Sequence, residues 1–186
     1  MVTEDTRSRI LVVELDLFAE LGFEGTSLQQ IADRLGFTKA ALYYHFRSKD
    51  DLLEALVRPA AEKMEELLAR HEACRDTRAR RGRFFEDYLD YLIGHRRLIA
   101  YISRDLAILA HPSFAADALA RKERVIGLLA GGALDFVSEV RVSMVVGGIQ
   151  AAIATHPDAD ACALREALRA GAMALVKPGR VPRSRC

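Results

Sequence analysis

Three apolar repeats with helical spacing are crowded into the first fifty residues, and glycines at Gly22 and Gly36 cut them apart. Ile10, Val13, Leu17 and Leu21 recur at intervals of three and four, with Phe18 alongside. Leu28, Ile31 and Leu35 repeat on a second segment, Leu42 and Phe46 on a third. Helices this short are marginal alone in water, so their stability must come from packing on one another. The punctuation agrees. Gly22 would suit a left-handed C-cap, Thr26 or Ser27 can cap the second helix, and Gly36 breaks it. Thr38 starts the third helix. Ser48 starts a fourth, with Asp50 and Asp51 at the positive end of its dipole. Pro59 falls inside this fourth helix and is expected to kink or interrupt it.

Helical spacing continues to the end of the chain, without strand alternation or internal repeats. Further helices are expected near 82–95, 97–109, 113–130, 134–155 and 159–176, with Pro112 and Pro157 marking two starts. Between Cys74 and Arg83 the chain turns basic and apolar residues thin out, which reads as a connection between domains. The expected fold is all-α with about nine helices: a three-helix domain over 1–50, a larger helical domain over 51–176 and a disordered tail over 177–186.

Composition narrows the class of protein. Apolar residues make up 51% of the 186, enough for a substantial core, and the net charge of +1 excludes neither nucleic acid nor an acidic ligand. Cys74, Cys162 and Cys186 are odd in number and far apart, so neither a disulfide framework nor a zinc site is expected. The N-terminus is polar and charged, unlike a secretory signal. The most apolar run, Val142 to Thr155, is shorter than the ~18 residues of a membrane span. A soluble cytoplasmic protein without cofactor or metal is expected.

The second and third helices, joined through Gly36 and Phe37, have the spacing of a helix-turn-helix. Such a unit needs a sharp turn, apolar residues that lock the helices, and an open face on the second. Leu28, Ile31, Ala32, Leu35, Phe37, Leu42 and Phe46 would form the lock, leaving Lys39, Ala40, Tyr43 and Tyr44 outward. From Gly25 to Lys49, Arg34, Lys39, Arg47 and Lys49 oppose Asp33 alone, the local basic face of a nucleic-acid reader. The plain alternative for Tyr43 and Tyr44 is packing.

Residues 9 to 53 resemble the N-terminal DNA-binding domain of the TetR family of transcriptional regulators. The resemblance lies in Arg9-Ile10-Leu11, Leu17-Phe18-Ala19-Glu20-Leu21-Gly22-Phe23, Thr26-Ser27-Leu28, Ile31-Ala32, Leu35-Gly36-Phe37-Thr38-Lys39, Leu42-Tyr43-Tyr44-His45-Phe46 and Ser48-Lys49. It implies a phosphate contact at Thr26 or Ser27, and Gln29 near the groove edge. Lys39 and Ala40 would face bases, with Thr38 beside them at the helix start. Tyr43 and His45 would touch backbone, Tyr44 both backbone and bases, and Lys49 a phosphate. Two residues depart from the family pattern. Ala41 stands where threonine or serine is frequent. Glu14 stands where a small apolar residue is common, on the face of Ile10, Leu17 and Leu21, and would need a buried partner.

The larger domain is less explicit. Phe84, Tyr88, Tyr91 and His95 share one helical face, followed by Tyr101, Arg104 and, past His111, Phe114. With Met144 they read either as ordinary core or as the wall of an apolar pocket with a few polar groups, the usual form of a small-molecule site. The last two helices suggest a homodimer through Val145, Ile149, Ala152, Leu164, Leu168 and Leu175, since small residues interleaved with them permit close approach. The alternative is burial within one subunit.

These readings converge on a regulator that binds a palindromic double-stranded operator as a homodimer, a repressor released by a small lipophilic or aromatic effector. The rivals are a DNA-binding regulator or activator without effector and, remotely, a helical enzyme, for which no catalytic constellation is visible.

Overall fold

The structure, a computed structural model, describes residues 4–109, 112–131 and 135–176. The expected tail and His111 lie outside the described residues, as do the side chains of Lys39 and Phe114. Every described element is helical: α1 (Glu4–Gly25), α2 (Leu28–Leu35), α3 (Lys39–His45), α4 (Lys49–Glu72), α5 (Arg78–Gly94), α6 (Arg96–Arg104), α7 (Leu106–Leu109), α8 (Pro112–Ala130), α9 (Phe136–Thr155) and α10 (Ala161–Val176). The all-α fold is as expected. The segment read as one helix over 97–109 is divided at Asp105, whose extended backbone (φ −99°, ψ 103°) ends α6.

Hydroxyl and carboxylate caps set the helix starts. Ser27 and Gln30 form a reciprocal capping box at α2, while Thr38, Ser48, Thr77 and Asp135 each accept from a backbone N–H in the first turn of their helices. Each such cap is worth about 1 kcal/mol. Gly36 closes α2 in the left-handed conformation (φ 69°, ψ 26°). Gly22 behaves differently. Its φ of 77° is positive but its ψ is 165°, so the chain breaks there and makes one more turn to Gly25 instead of ending in a left-handed cap.

Two further expectations are sharpened. α4 runs through Pro59 as one helix, so of the two outcomes expected there the interruption does not occur. The basic segment Cys74–Arg83 is only in part a connection: Thr77 caps α5, which starts at Arg78, and Arg80 is buried.

Three apolar clusters organise the molecule. Ile10 and Leu17 of α1, Leu28, Ile31 and Ala32 of α2, Leu42 and Phe46 of the α3 region, and Leu52 and Ala55 of α4 form the N-terminal core. A larger core joins Met64, Leu67 and Leu68 of α4 to α5, α8, α9 and α10. Between them Phe18, Phe23, Leu53, Tyr101 and Ile108 form a junction, where the Phe18 and Tyr101 rings stack at 5.6 Å. One helix, α4, therefore supplies side chains to all three clusters.

α9, at 20 residues, is long and apolar enough by composition to cross a membrane. One side of it packs against α6, α8 and α10. Its apolar stretch is longer than the run singled out in the sequence because it begins at Phe136.

Candidate nucleic-acid interface and effector cavity

α3 has only seven residues, too few to persist alone. It is held from behind by Leu42 and Phe46, which are 0% and 4% exposed; burying each contributes about 1.5–3 kcal/mol. In front, Ala40 and Ala41 are exposed, and their short side chains leave the backbone open to close approach. Tyr43 is 44% exposed and Tyr44 84%. The half-buried His45 ring meets Tyr44 edge-on at 5.3 Å. Thr38 accepts a hydrogen bond from the Ala41 N–H at 3.2 Å and so works as the cap of α3.

The helix-turn-helix is brought together as expected, but several side chains have other work. Thr26 is buried, and its hydroxyl donates to the Gly22 carbonyl at 2.8 Å, closing the break in α1. Ser27 is exposed but committed to Gln30, whose Oε1 accepts from the Ser27 N–H at 2.7 Å. Gln29 donates to Asp33 at 2.7 Å along the α2 surface. The Lys49 ammonium donates to the Phe23 carbonyl at 2.6 Å and sits 4.3 Å from the Phe23 ring centre. Arg34 pairs with Glu20 at 3.1 Å. Of the four cations counted along the sequence, Arg34 and Lys49 are thus engaged locally, Lys49 also lying 3.8 Å from Glu24. Arg47, just past α3, is exposed and has no ion pair among the described residues. Its charge belongs to the basic face expected from the sequence, where it had no separate role.

Glu14 is the anomaly of this domain. It is 0% exposed, and neither carboxylate oxygen has a hydrogen-bond partner. Burial pushes its pKa up from 4.5 to about 9. The partner its position called for is absent among the described residues, so the side chain is a neutral acid at pH 7.

In the larger domain a cavity of about 200 Å³ lies among α4, α5, α6, α7, α8 and α9. Of the aromatic residues expected to line it, Tyr88 and Tyr91 do. The Tyr88 hydroxyl faces Gln150 at 3.5 Å, and the Tyr91 hydroxyl donates to the Ala60 carbonyl at 3.1 Å. Burial raises both phenol pKa values, that of Tyr91 to about 12.

The other expected lining residues lie elsewhere. Phe84 stacks behind Tyr88 at 6.0 Å. His95 turns its Nδ1 to the Tyr91 carbonyl at 2.8 Å. Tyr101 belongs to the junction, Arg104 donates to the Ala154 carbonyl at 2.6 Å, and Met144 is exposed on α9. One helical face of α5 is longer than the cavity, so sharing that face did not mean sharing the site. Val57, Ala60, Ala61 and Met64 of α4 and Gln150 of α9 line the cavity unforeseen. Gln150 alone carried a signal, as a polar residue within an apolar run.

Val145, Ile149, Leu164 and Leu168 are buried in the chain's own core, Ala152 is half-buried against it, and only Leu175 of the expected dimer set is exposed. The α9 face left open carries Phe136, Val137, Val140 and Met144, between 40% and 78% exposed.

The fold and this N-terminal unit define an all-helical helix-turn-helix protein whose remaining helices enclose a cavity. Residues 10–56 match the family described as "Bacterial regulatory proteins, tetR family". The HTH-type transcriptional regulator AcrR of Shigella flexneri is 37% identical over 70 residues, which cover 38% of this chain and 33% of that protein. The tetracycline repressor protein class A from transposon 1721 of Escherichia coli is 35% identical over 97 residues, covering 50% of this chain and 39% of that protein. The chain thus spans about a third to two fifths of the length of these relatives.

The fold extends further than the sequence likeness. A TetR-family regulator from Bordetella parapertussis matches 94% of this chain and 96% of its own at a TM-score of 0.73 and 16% identity. The regulator PfmR from Thermus thermophilus matches 94% and 100% at 0.68 and 23% identity.

Proposed function

We propose that the chain is a sequence-specific DNA-binding transcriptional regulator, acting in the cytoplasm as a homodimer on a palindromic operator. The observation that carries this reading is α3: capped by Thr38, locked by Leu42 and Phe46, and open on the side of Ala40, Tyr43 and Tyr44. A rigid short helix with an open backbone and phenol hydroxyls suits a major groove, where bases are read while phosphates set register. Lys39 and Ala40 would face bases; Tyr43, Tyr44, His45 and Arg47 would hold the flanking backbone, with Ser27 and Gln29 at the groove edge. Thr26 and Lys49 would act indirectly, by fixing the end of α1.

The division into a reader over 1–50 and an effector-binding and dimerisation domain over 51–176 is part of this proposal. One recognition helix covers few base pairs, and a two-fold partner doubles the site. The open apolar face of α9 is the surface offered for that partner. Its opposite face is buried in the chain, and a helix apolar on both sides is normally covered on both.

The regulator is read as a repressor released by a small lipophilic or aromatic effector in the cavity at Tyr88 and Tyr91. α4 lines this cavity and also packs in the N-terminal core, so an effector that favours one α4 position shifts the reader with it. It does so only as far as it binds the two positions unequally.

Selection of bound duplexes from a random library, followed by affinity against salt, tests the reading. An enriched palindrome bound by two chains with a steep salt slope is expected. Sequence-blind binding, or none after unfolding and refolding to remove any carried ligand, would overturn it.

A further inference from the structure

The start of α5 carries Arg78, Arg80, Arg81 and Arg83, and two of these are structural. Arg80 is buried and donates to the Leu128 carbonyl near the end of α8 at 2.8 Å and to Asp76. Arg81 reaches both Asp76 oxygens at 3.0 Å and lies against Gly131. Gly131 has a φ of +70°, a backbone conformation that favours glycine.

Arg81 also lines a cleft, together with the remaining two arginines of α5 and two from other helices. Arg78, Arg81 and Arg83 of α5, Arg141 of α9 and Arg169 of α10 wall a space of about 790 Å³. Its apolar floor is Phe85, Leu129, Val142 and Met173. The carboxylates lining it, Glu86 and Asp87, are already engaged. Glu86 is held by Arg165 at 2.8 Å and Arg169 at 3.0 Å, and Asp87 is 2.8 Å from His71. Among the described residues Arg78, Arg83 and Arg141 form no ion pair; the Arg141 charge reaches Asp135 only through space.

We propose that this cleft is a second ligand site, which takes a small soluble organic dianion with an apolar body, of the alkyl or aryl phosphate kind. Guanidinium forks match phosphate oxygens two by two and give up their hydration more readily than ammonium groups. The floor would cover the body of the ligand, and the volume is that of an ordinary small-molecule site. An inorganic anion would leave the floor wet, and a neutral lipid would leave the arginines unmatched. The site shares no lining residue with the cavity at Tyr88. α4 has 24 residues, and at ~1.5 Å rise per residue the α5 start lies roughly 35 Å from Lys49, away from DNA at α3. The inference therefore stands apart from the reading of α3 as a DNA contact.

Calorimetric titration of the full chain with octyl phosphate at pH 8, beside inorganic phosphate and octanol, tests it without DNA. Saturable binding at least tenfold tighter than either comparator is expected, weakening as salt rises. Arg83→Ala with Arg141→Ala should lower affinity at least tenfold at an unchanged melting temperature. If that pair melts early, Arg83→Glu alone, at an exposed position, should give the same loss. Ala61→Leu, which fills the interior cavity, should leave binding as it was. Absence of saturable binding, wild-type affinity in the arginine variants, or loss in Ala61→Leu each overturns the proposal.

Discussion

The main-chain N–H of Phe23 donates to Oδ2 of Asp105 at 2.7 Å, joining the end of α1 to the residue that ends α6. The Phe23 carbonyl, in the next peptide unit, receives Lys49. The two peptide groups that flank one residue are therefore held from Asp105 on one side and from α4 on the other, beside the break at Gly22. Asp105 also caps α7 through the Ala107 N–H at 3.0 Å. Asp105→Ala leaves a part-buried N–H unmatched, for which a loss of about 1–3 kcal/mol is expected. It should also weaken any effector response without changing the preferred operator. Urea unfolding reads the first effect and operator release the second; an unchanged response would show that coupling does not pass through this bond.

Glu14 makes stability fall with pH. The folded chain holds the proton up to about pH 9, whereas the unfolded chain releases it near 4.5. Between those values the unfolded state binds fewer protons, so stability drops as pH rises, by at most ~1.4 kcal/mol per unit. Below about 4.5 both states are protonated and this penalty vanishes. Glu14→Leu should stabilise the chain, and more at pH 8 than at pH 5. Equal gains at the two pH values would mean that the carboxyl is not held neutral.

Tyr44, Arg47 and Lys49 should separate contact from support. Tyr44→Ala removes a side chain that is 84% exposed, so stability should barely move while operator affinity falls about tenfold, the order of ~1.4 kcal/mol. Arg47→Ala should lower affinity on all duplexes and reduce the salt slope by about 1. Lys49→Ala should cost about 1 kcal/mol of stability and leave the salt slope unchanged. A salt slope lowered by Lys49→Ala would return that lysine to the phosphate backbone.

Met144→Asp places a charge on the open face of α9 without touching the chain's own core. Sedimentation should show monomer where the parent chain is a dimer, with affinity for a full palindrome reduced at least tenfold and half-site binding kept. A dimer that survives this change together with Val140→Asp would place the partner surface elsewhere.

The tie between α4 and α8 bears on how an effector could act. Arg124 binds Glu65 at 2.6 Å and Glu72 at 2.8 Å, and Arg121 binds Glu65 at 2.8 Å. These hydrogen bonds, Arg124's foremost, hold the Glu65 carboxyl below its ordinary value. All the partners are partly exposed, so the network contributes modestly to stability. It nevertheless ties α4 to α8 just past the residues that line the cavity, so a shift of the whole of α4 would have to move or break it.

What the sequence determined by itself was local. Helical spacing, the hydroxyl caps at Thr38 and Ser48, the turn at Gly36 and the inward pair Leu42 and Phe46 follow from periodicity and backbone preference, which act over a few residues. The outward tyrosines of α3 follow from the same periodicity. Only the tertiary structure decided which partner each polar group took. Lys49 and Arg34 looked like free cations until Phe23 and Glu20 were brought to them, and Val145, Ile149, Leu164 and Leu168 offered an apolar face that turned inward once α8 and α5 closed over it. Phe84, Tyr88, Tyr91 and His95 share a helical face, yet the cavity forms only where α4 and α9 leave space beside it. The arginines of α5, α9 and α10 meet around one cleft for the same reason: contacts between distant segments depend on how helices cross, and spacing along the chain does not carry that information.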